Sequence, residues 1–180
     1  LGTGTLALNN DADPLVVDEA FYPTLSLSHD ADVGSLIKQN DNDKTRIDLN
    51  GYKLAITQTL DGAYAGNIGV AGGDLGIFDV TLSGGVLTLS GDNYNLLGEF
   101  RIHQGAPGGK IVAKSMSGTA LGQGKVFMDG GLVEMAANLS IYILEGTGGT
   151  ILTEDTSGMP ALPYQLTLTR GGGFETTFAG

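Results

Sequence analysis

Apolar residues in this chain recur at every second position, in short runs separated by Gly, Asn, Asp or Pro. The runs are Thr5–Leu8, Thr24–Leu27, Arg46–Leu49, Lys53–Ile56, Val86–Leu89, Glu99–Ile102, Lys110–Ala113, Lys125–Met128 and Gln165–Leu168. A period of two puts the apolar side chains on one face of a strand, with Thr, Ser, Lys or Asp between them on the other. Helical spacing is nearly absent. The best helical candidate, Gly131–Leu139, is short and runs into Leu139–Ile143, which alternates like a strand. The pattern predicts an all-β chain that turns every ~7 to 15 residues.

Two architectures accommodate many short strands with frequent turns: an antiparallel sandwich or barrel, and a parallel solenoid. Asn50-Gly51, Asp61-Gly62 and Asp129-Gly130 are hairpin signals. The strands around Asn50-Gly51 are very short, which also suits a solenoid corner. Internal similarity favours the solenoid. Gly2–Asn9 is similar to Gly84–Gly91, and a fainter copy runs from Tyr164 to Thr169. These intervals are near 80 residues, so one copy would span several coils.

Composition sharpens this picture. Glycine supplies 30 of 180 residues, with no collagen-like period, as a chain of many tight turns requires. Charged residues are only 16% of the chain, so Thr, Ser, Asn and Gln must solvate its surface, as on sheets rather than helices. The net charge of -11 argues against nucleic acid and anionic membrane surfaces as partners. Cysteine is absent, so no disulfide framework holds the fold. That suits surface proteins that cross an oxidising compartment unfolded, and equally many cytosolic ones. No apolar run is long enough for a transmembrane helix. The chain begins at Leu1 without Met or a signal peptide, and reads as a mature product or a piece of a longer surface protein.

The run Gly84–Asn95 resembles the autotransporter-associated β-strand repeat, also called the passenger-associated transport repeat. In it a glycine precedes an L-T-L-S-G strand, and Asn and Tyr follow. Gly84, Gly85, Leu87, Leu89, Gly91, Asn93, Tyr94 and Gly98 match it, and Phe100, Ile102 and Gly105 continue it. Ala120–Gly124 and Gly130–Glu134 look like its closing coil, and Ile47–Leu54 and Tyr64–Gly69 like the coil before it. The resemblance is best over residues 45–135. It implies a right-handed parallel β-helix on a secreted passenger, with no catalytic chemistry of its own. It also implies an extracellular or bacterial cell-surface location. On physical grounds Asn93 is expected to stack in a corner ladder, its amide bonding exposed backbone groups. Residues 145–165 fit poorly, and Gly158–Pro163 looks like a protruding loop.

Candidates for chemistry are few. His29 and His103 lack metal-ligand spacing, and His103 is expected to face solvent. Asp11, Asp13, Asp30, Asp32, Asp41 and Asp43 lie in oxygen-rich turns that suggest weak calcium binding. None of these turns completes a known calcium loop. Asp48, Asp79, Glu99 and Arg101 alternate outward on expected strands. A glycan-active enzyme would need them to converge. Tyr22, Tyr52, Tyr64, Tyr94, Tyr142 and Tyr164 would form a carbohydrate platform only if coils aligned them.

The expected protein is therefore one β-solenoid segment over 1–180, with an antiparallel sandwich as the alternative fold. Its expected role is non-enzymatic: a rigid stalk, display scaffold or adhesive segment without a cofactor. Its partners would be neighbouring domains of its own chain, further copies of itself, or a host or glycan ligand. The competing readings are a self-assembling filament subunit and a β-helical glycan-active enzyme.

Overall fold

The structure is a computed structural model that describes residues 6–7, 24–37, 45–153 and 164–168. All of its strand pairs among these residues are parallel, which excludes the sandwich. The chain winds through about 6 turns as a right-handed parallel β-helix, and no helix occurs among the described residues. The hand is the one that parallel crossovers almost always take.

Each coil presents up to three strands. The first face carries β2 (Thr24–Ser26), β5 (Arg46–Asp48) and β8 (Asn67–Ile68), and farther along β14 (Leu139–Ile141) under β16 (Leu166–Leu168). The second face stacks β3 (Ala31–Val33), β6 (Lys53–Gln58), β9 (Ile77–Ser83), β11 (Glu99–Ala106) and the first halves of β13 (Lys125–Met135) and β15 (Ile143–Leu152). The third stacks β7 (Gly62–Tyr64), β10 (Val86–Leu89), β12 (Lys110–Ala113) and the second halves of β13 and β15. The remaining pair, β1 (Leu6–Ala7) and β4 (Leu36–Ile37), meets this face at Gly62.

The alternation read from the sequence is the packing rule. Along β9 every second side chain is buried. One inward column runs Leu54, Phe78, Phe100, Val126, Leu144, and its neighbour runs Ile56, Val80, Ile102, Met128. Phe78 and Phe100 stack with ring centroids 5.2 Å apart. On the third face Leu87 lies in register with Gly62 and Ile111, and Leu89 with Tyr64 and Ala113. Both leucines are fully buried. Each such side chain contributes about 1.5–3 kcal/mol, and the columns join into one continuous core.

Several expectations change. Gly131–Leu139 is not helical: its first part belongs to β13, and Leu139 begins β14. Gly130 and Gly131, at φ 91 and 89, turn β13 from the second face to the third. The hairpin signal at Asn50-Gly51 is a coil corner, with φ 53 and 81 and the Tyr52 amide donating to the Leu49 carbonyl. Asp30-Ala31-Asp32 enters a strand rather than staying a turn. Gly84–Gly91 supplies a third-face strand, whereas Tyr164–Thr169 supplies β16 on the first face, so those two copies are not equivalent. Of Gly2–Asn9 only Leu6 and Ala7 are described, and Gly158–Pro163 lies outside the described residues.

Candidate functional site

Two kinds of polar construction mark this rod: side chains that tie coils together inside, and a charged ladder outside. Asn93 is fully buried. Its Oδ1 accepts from the Ile68 amide at 2.7 Å, and its Nδ2 donates to the Ala120 carbonyl at 2.7 Å. One amide thus joins the coil before it to the coil after it, replacing a missing stretch of backbone ladder on the first face. The expected amide-to-backbone bonding is present, but the partners on the adjacent coils are the Ile68 and Ala120 backbones rather than stacked Asn side chains.

Asp74 and Gln58 do comparable work and were not singled out from the sequence. Asp74 is 1% exposed. Its Oδ2 accepts from the Leu49 and Asn50 amides at 2.7 and 3.0 Å, and its Oδ1 from Gly51 and Gly76 at 3.1 and 2.9 Å. Gln58 accepts from the Leu36 amide and donates to the Leu36 and Leu60 carbonyls. The bonds to Gly76 and Leu60 are local, and the ties between coils link positions 22 to 27 residues apart. That coil period is the signal that would have found them, because it sets Asp74 opposite Leu49–Gly51.

The outer ladder lies on the second face. In register, Asp79 sits beside Arg101, Glu99 beside Lys125, and His103 beside Asp129. Glu99 receives Arg101 Nη2 at 2.7 Å and Lys125 Nζ at 2.9 Å, and Lys125 also reaches Glu145 at 3.3 Å. His103 lies 3.4 Å from Asp79 and 3.9 Å from Asp129, its ring against Phe127. It is outward as expected, but half-buried among neighbours rather than free in solvent.

Asp79, Glu99 and Arg101 therefore do converge, whereas Asp48 does not join them. Asp48 was expected to alternate outward. It lies on the side of β5 that carries Arg46, at 2.9 Å, but it is buried there rather than exposed. Burial pushes its carboxyl above the ordinary carboxylate value; the charge of Arg46 opposes that push and the charge of Asp74 adds to it.

Glu99 behaves in the opposite way. Burial raises it, but hydrogen bonds and charge from Arg101 and Lys125 outweigh the burial and hold it below its ordinary 4.5. The hydrogen bond to Glu99 in turn raises both Arg101 and Lys125, against some burial. A general acid needs a carboxyl that stays protonated. The ionised form of Glu99 is favoured, and the ladder joins four successive coils through β9, β11, β13 and β15.

A folded-state value below the unfolded one means that Glu99 stabilises the fold above the unfolded value. This contribution is lost as pH falls through the folded value. Glu99→Gln is expected to lower the urea midpoint at neutral pH, and the gap from the parent chain should close in acid. A constant gap across that range would show that the clamp is not ionic.

Of the calcium candidates, Asp30 and Asp32 are described. Asp30 Oδ1 accepts from the Lys53 amide at 2.8 Å, and Asp32 is exposed on β3. Asp11, Asp13, Asp41 and Asp43 lie outside the described residues. Among the described residues no group of three or more His, Asp or Glu is placed to hold a metal ion. His29 is exposed and contacts Ser28.

The remaining repeat residues sort by position. Gly85, Gly91 and Gly98 sit where a Cβ would overlap the backbone of the preceding coil, while Gly84, at φ 101, has open space around it. Tyr94 is half-exposed. Tyr52 and Tyr142 fall on one corner column, with Gly76, Gly98 and Gly124 on the coils between them. Tyr64 is buried, and Tyr22 lies outside the described residues.

No family model, no curated protein and no solved structure matches this chain.

Proposed function

We propose that this chain is a non-enzymatic scaffold, a rigid β-helical stalk or display segment of an extracellular or bacterial-surface protein of the autotransporter-passenger kind. The observation that carries this reading is the use made of the buried polar side chains. Asn93, Asp74 and Gln58 each spend their hydrogen-bonding groups on backbone atoms of neighbouring coils. A catalytic or cofactor site would hold such groups toward a ligand. These groups instead stiffen the rod, at ~4.8 Å of length per coil.

The glycan-active reading has one specific observation behind it, the convergence of Asp79, Glu99 and Arg101. It is the weaker reading because Glu99 is bound by two cations and Arg101 is committed to Glu99.

A coil insertion tests the scaffold. Phe78 and Phe100 are equivalent positions, so repeating residues 78–99 once adds a coil in register. The longer chain is expected to fold, to lengthen by ~4.8 Å in X-ray scattering, and to present a carboxy-terminal epitope on cells as well as the parent does. A folded, longer chain that no longer presents the epitope would refute the stalk. Release of reducing ends from a polysaccharide panel, abolished by Glu99→Gln, would establish the enzyme instead.

A further inference from the structure

A groove of about 750 Å³ runs along the corner between the first and second faces. Its walls come from three successive coils, through Leu97, Gln123 and Tyr142, with Ser117, Ser140 and Lys125 beside them. The volume is in the range of small-molecule sites. Leu97 and Tyr142 are 44% and 45% exposed, so an apolar surface and an aromatic ring stand open to solvent at its two ends. The glycine column explains the gap between them. Gly98 and Gly124 approach the preceding coil too closely for any side chain, so none fills the corner there.

The polar groups of the groove restrict what can occupy it. Asp92 Oδ1 accepts from the hydroxyls of Ser115, Ser117 and Thr119. A hydroxyl whose proton is committed this way offers lone pairs to a ligand donor. The Gln123 amide, on an exposed residue, adds both a donor and an acceptor. The cation in the groove wall, Lys125, is shared between Glu99 at 2.9 Å and Glu145 at 3.3 Å, so it offers little charge to an anion. The chain as a whole carries -11. A ligand rich in hydroxyl donors, with an apolar ring face and no charge, answers all four features. Pyranose rings have that chemistry, and the ~4.8 Å coil spacing is close to the length of one sugar in an extended chain.

We propose that this corner groove binds a short stretch of neutral oligosaccharide, with Tyr142 as the stacking platform and Gln123 and Ser117 reading hydroxyls. The site does not depend on the stalk reading, because it is compatible with a scaffold and with an enzyme alike.

Calorimetry and saturation-transfer NMR on the full chain test it, with the tetrasaccharides of β-1,4-glucose, α-1,4-glucose and β-1,4-N-acetylglucosamine as probes. At least one is expected to bind with Kd on the order of millimolar or tighter. Tyr142→Ala should weaken it about tenfold, Gln123→Ala should weaken it less, and Tyr142→Phe should retain it. Tyr94→Ala, on a different corner, should leave it unchanged. Tetragalacturonate should bind no better than the neutral probes. The proposal is overturned if no neutral tetrasaccharide binds, or if Tyr142→Ala binds as the parent does while keeping its circular dichroism spectrum. It is also overturned if sedimentation shows a dimer that Tyr142→Ala dissociates, since the groove would then be an interface between copies. Probe recovered cleaved would leave the groove standing and remove the scaffold reading; probe recovered intact would support both.

Discussion

Asp74→Ala is expected to destabilise the fold by about 3–5 kcal/mol, near the top of what one substitution does. The carboxylate accepts four backbone N–H groups, from Leu49, Asn50, Gly51 and Gly76. Removing it leaves these donors facing a void where Leu49 and Gly76 are buried from water. Each orphaned buried donor costs about 1–3 kcal/mol. Asn50 and Gly51 are exposed and regain water, so the four losses do not simply add. Asp74→Asn is a second arm. It keeps one oxygen but sets an NH2 group against two N–H donors, so about 2 kcal/mol should still be lost. Denaturant midpoints measure the size of the loss. Hydrogen exchange locates it, because the amides of Leu49, Asn50, Gly51 and Gly76 should exchange faster than those of β12. A loss below about 1 kcal/mol for Asp74→Ala would mean that water replaces the carboxylate.

The position of Asp74 also shows what the sequence made legible and what it hid. Period-two alternation located many strands, but Ile77–Ser83, whose burial alternates along its whole length, and the glycine-rich Ile143–Leu152 were not among the runs it picked out. Val86–Leu89 and Lys110–Ala113 are β10 and β12 to the residue. Among the shortest strands, β2, β5 and β16 fell within predicted runs, whereas β7 and β8 carry too few alternating positions and escaped. The apolar interior was visible in Leu87 and Leu89, because burial leaves hydrophobicity as a local trace. The polar ties were not. Asp74 is ordinary turn chemistry until the coil period places it against Leu49–Gly51, a relation between residues 25 apart. Asn93 was the exception, expected at a corner where its amide bonds exposed backbone groups. The same limit applied to the surface. Glu99 and Arg101 read as a local pair, while Lys125 and Glu145 joined them only through register. Asp48 failed for another reason: alternation sets it on the side of Arg46, which it meets at 2.9 Å, yet it is covered there rather than exposed.

Glycine is where local and non-local constraint separate most cleanly, and it gives the second large effect. Gly98→Ala is expected to cost about 3 kcal/mol or more, and Gly84→Ala about 1 kcal/mol. Gly84 stands at φ 101 with nothing near its missing Cβ, so alanine there meets only an unfavourable backbone conformation. Gly98 lacks that φ. Its Cβ would instead overlap the Gly76 carbonyl, a backbone atom that cannot rotate away. Relief requires the two coils to part. Parting them stretches the bond from the Glu99 amide to the Gly76 carbonyl, now 3.1 Å, and loosens the Phe78–Phe100 contact just inside it. Gly124 repeats the arrangement one coil farther on, over the Gly98 carbonyl, so Gly124→Ala should resemble Gly98→Ala rather than Gly84→Ala. Denaturant midpoints of the three variants decide the matter. If Gly98→Ala and Gly84→Ala fall together, glycine serves this chain only as a turn former. If Gly98→Ala and Gly124→Ala fall well below Gly84→Ala, the glycine column sets the spacing of the coils, and with it the open corner in which the groove lies.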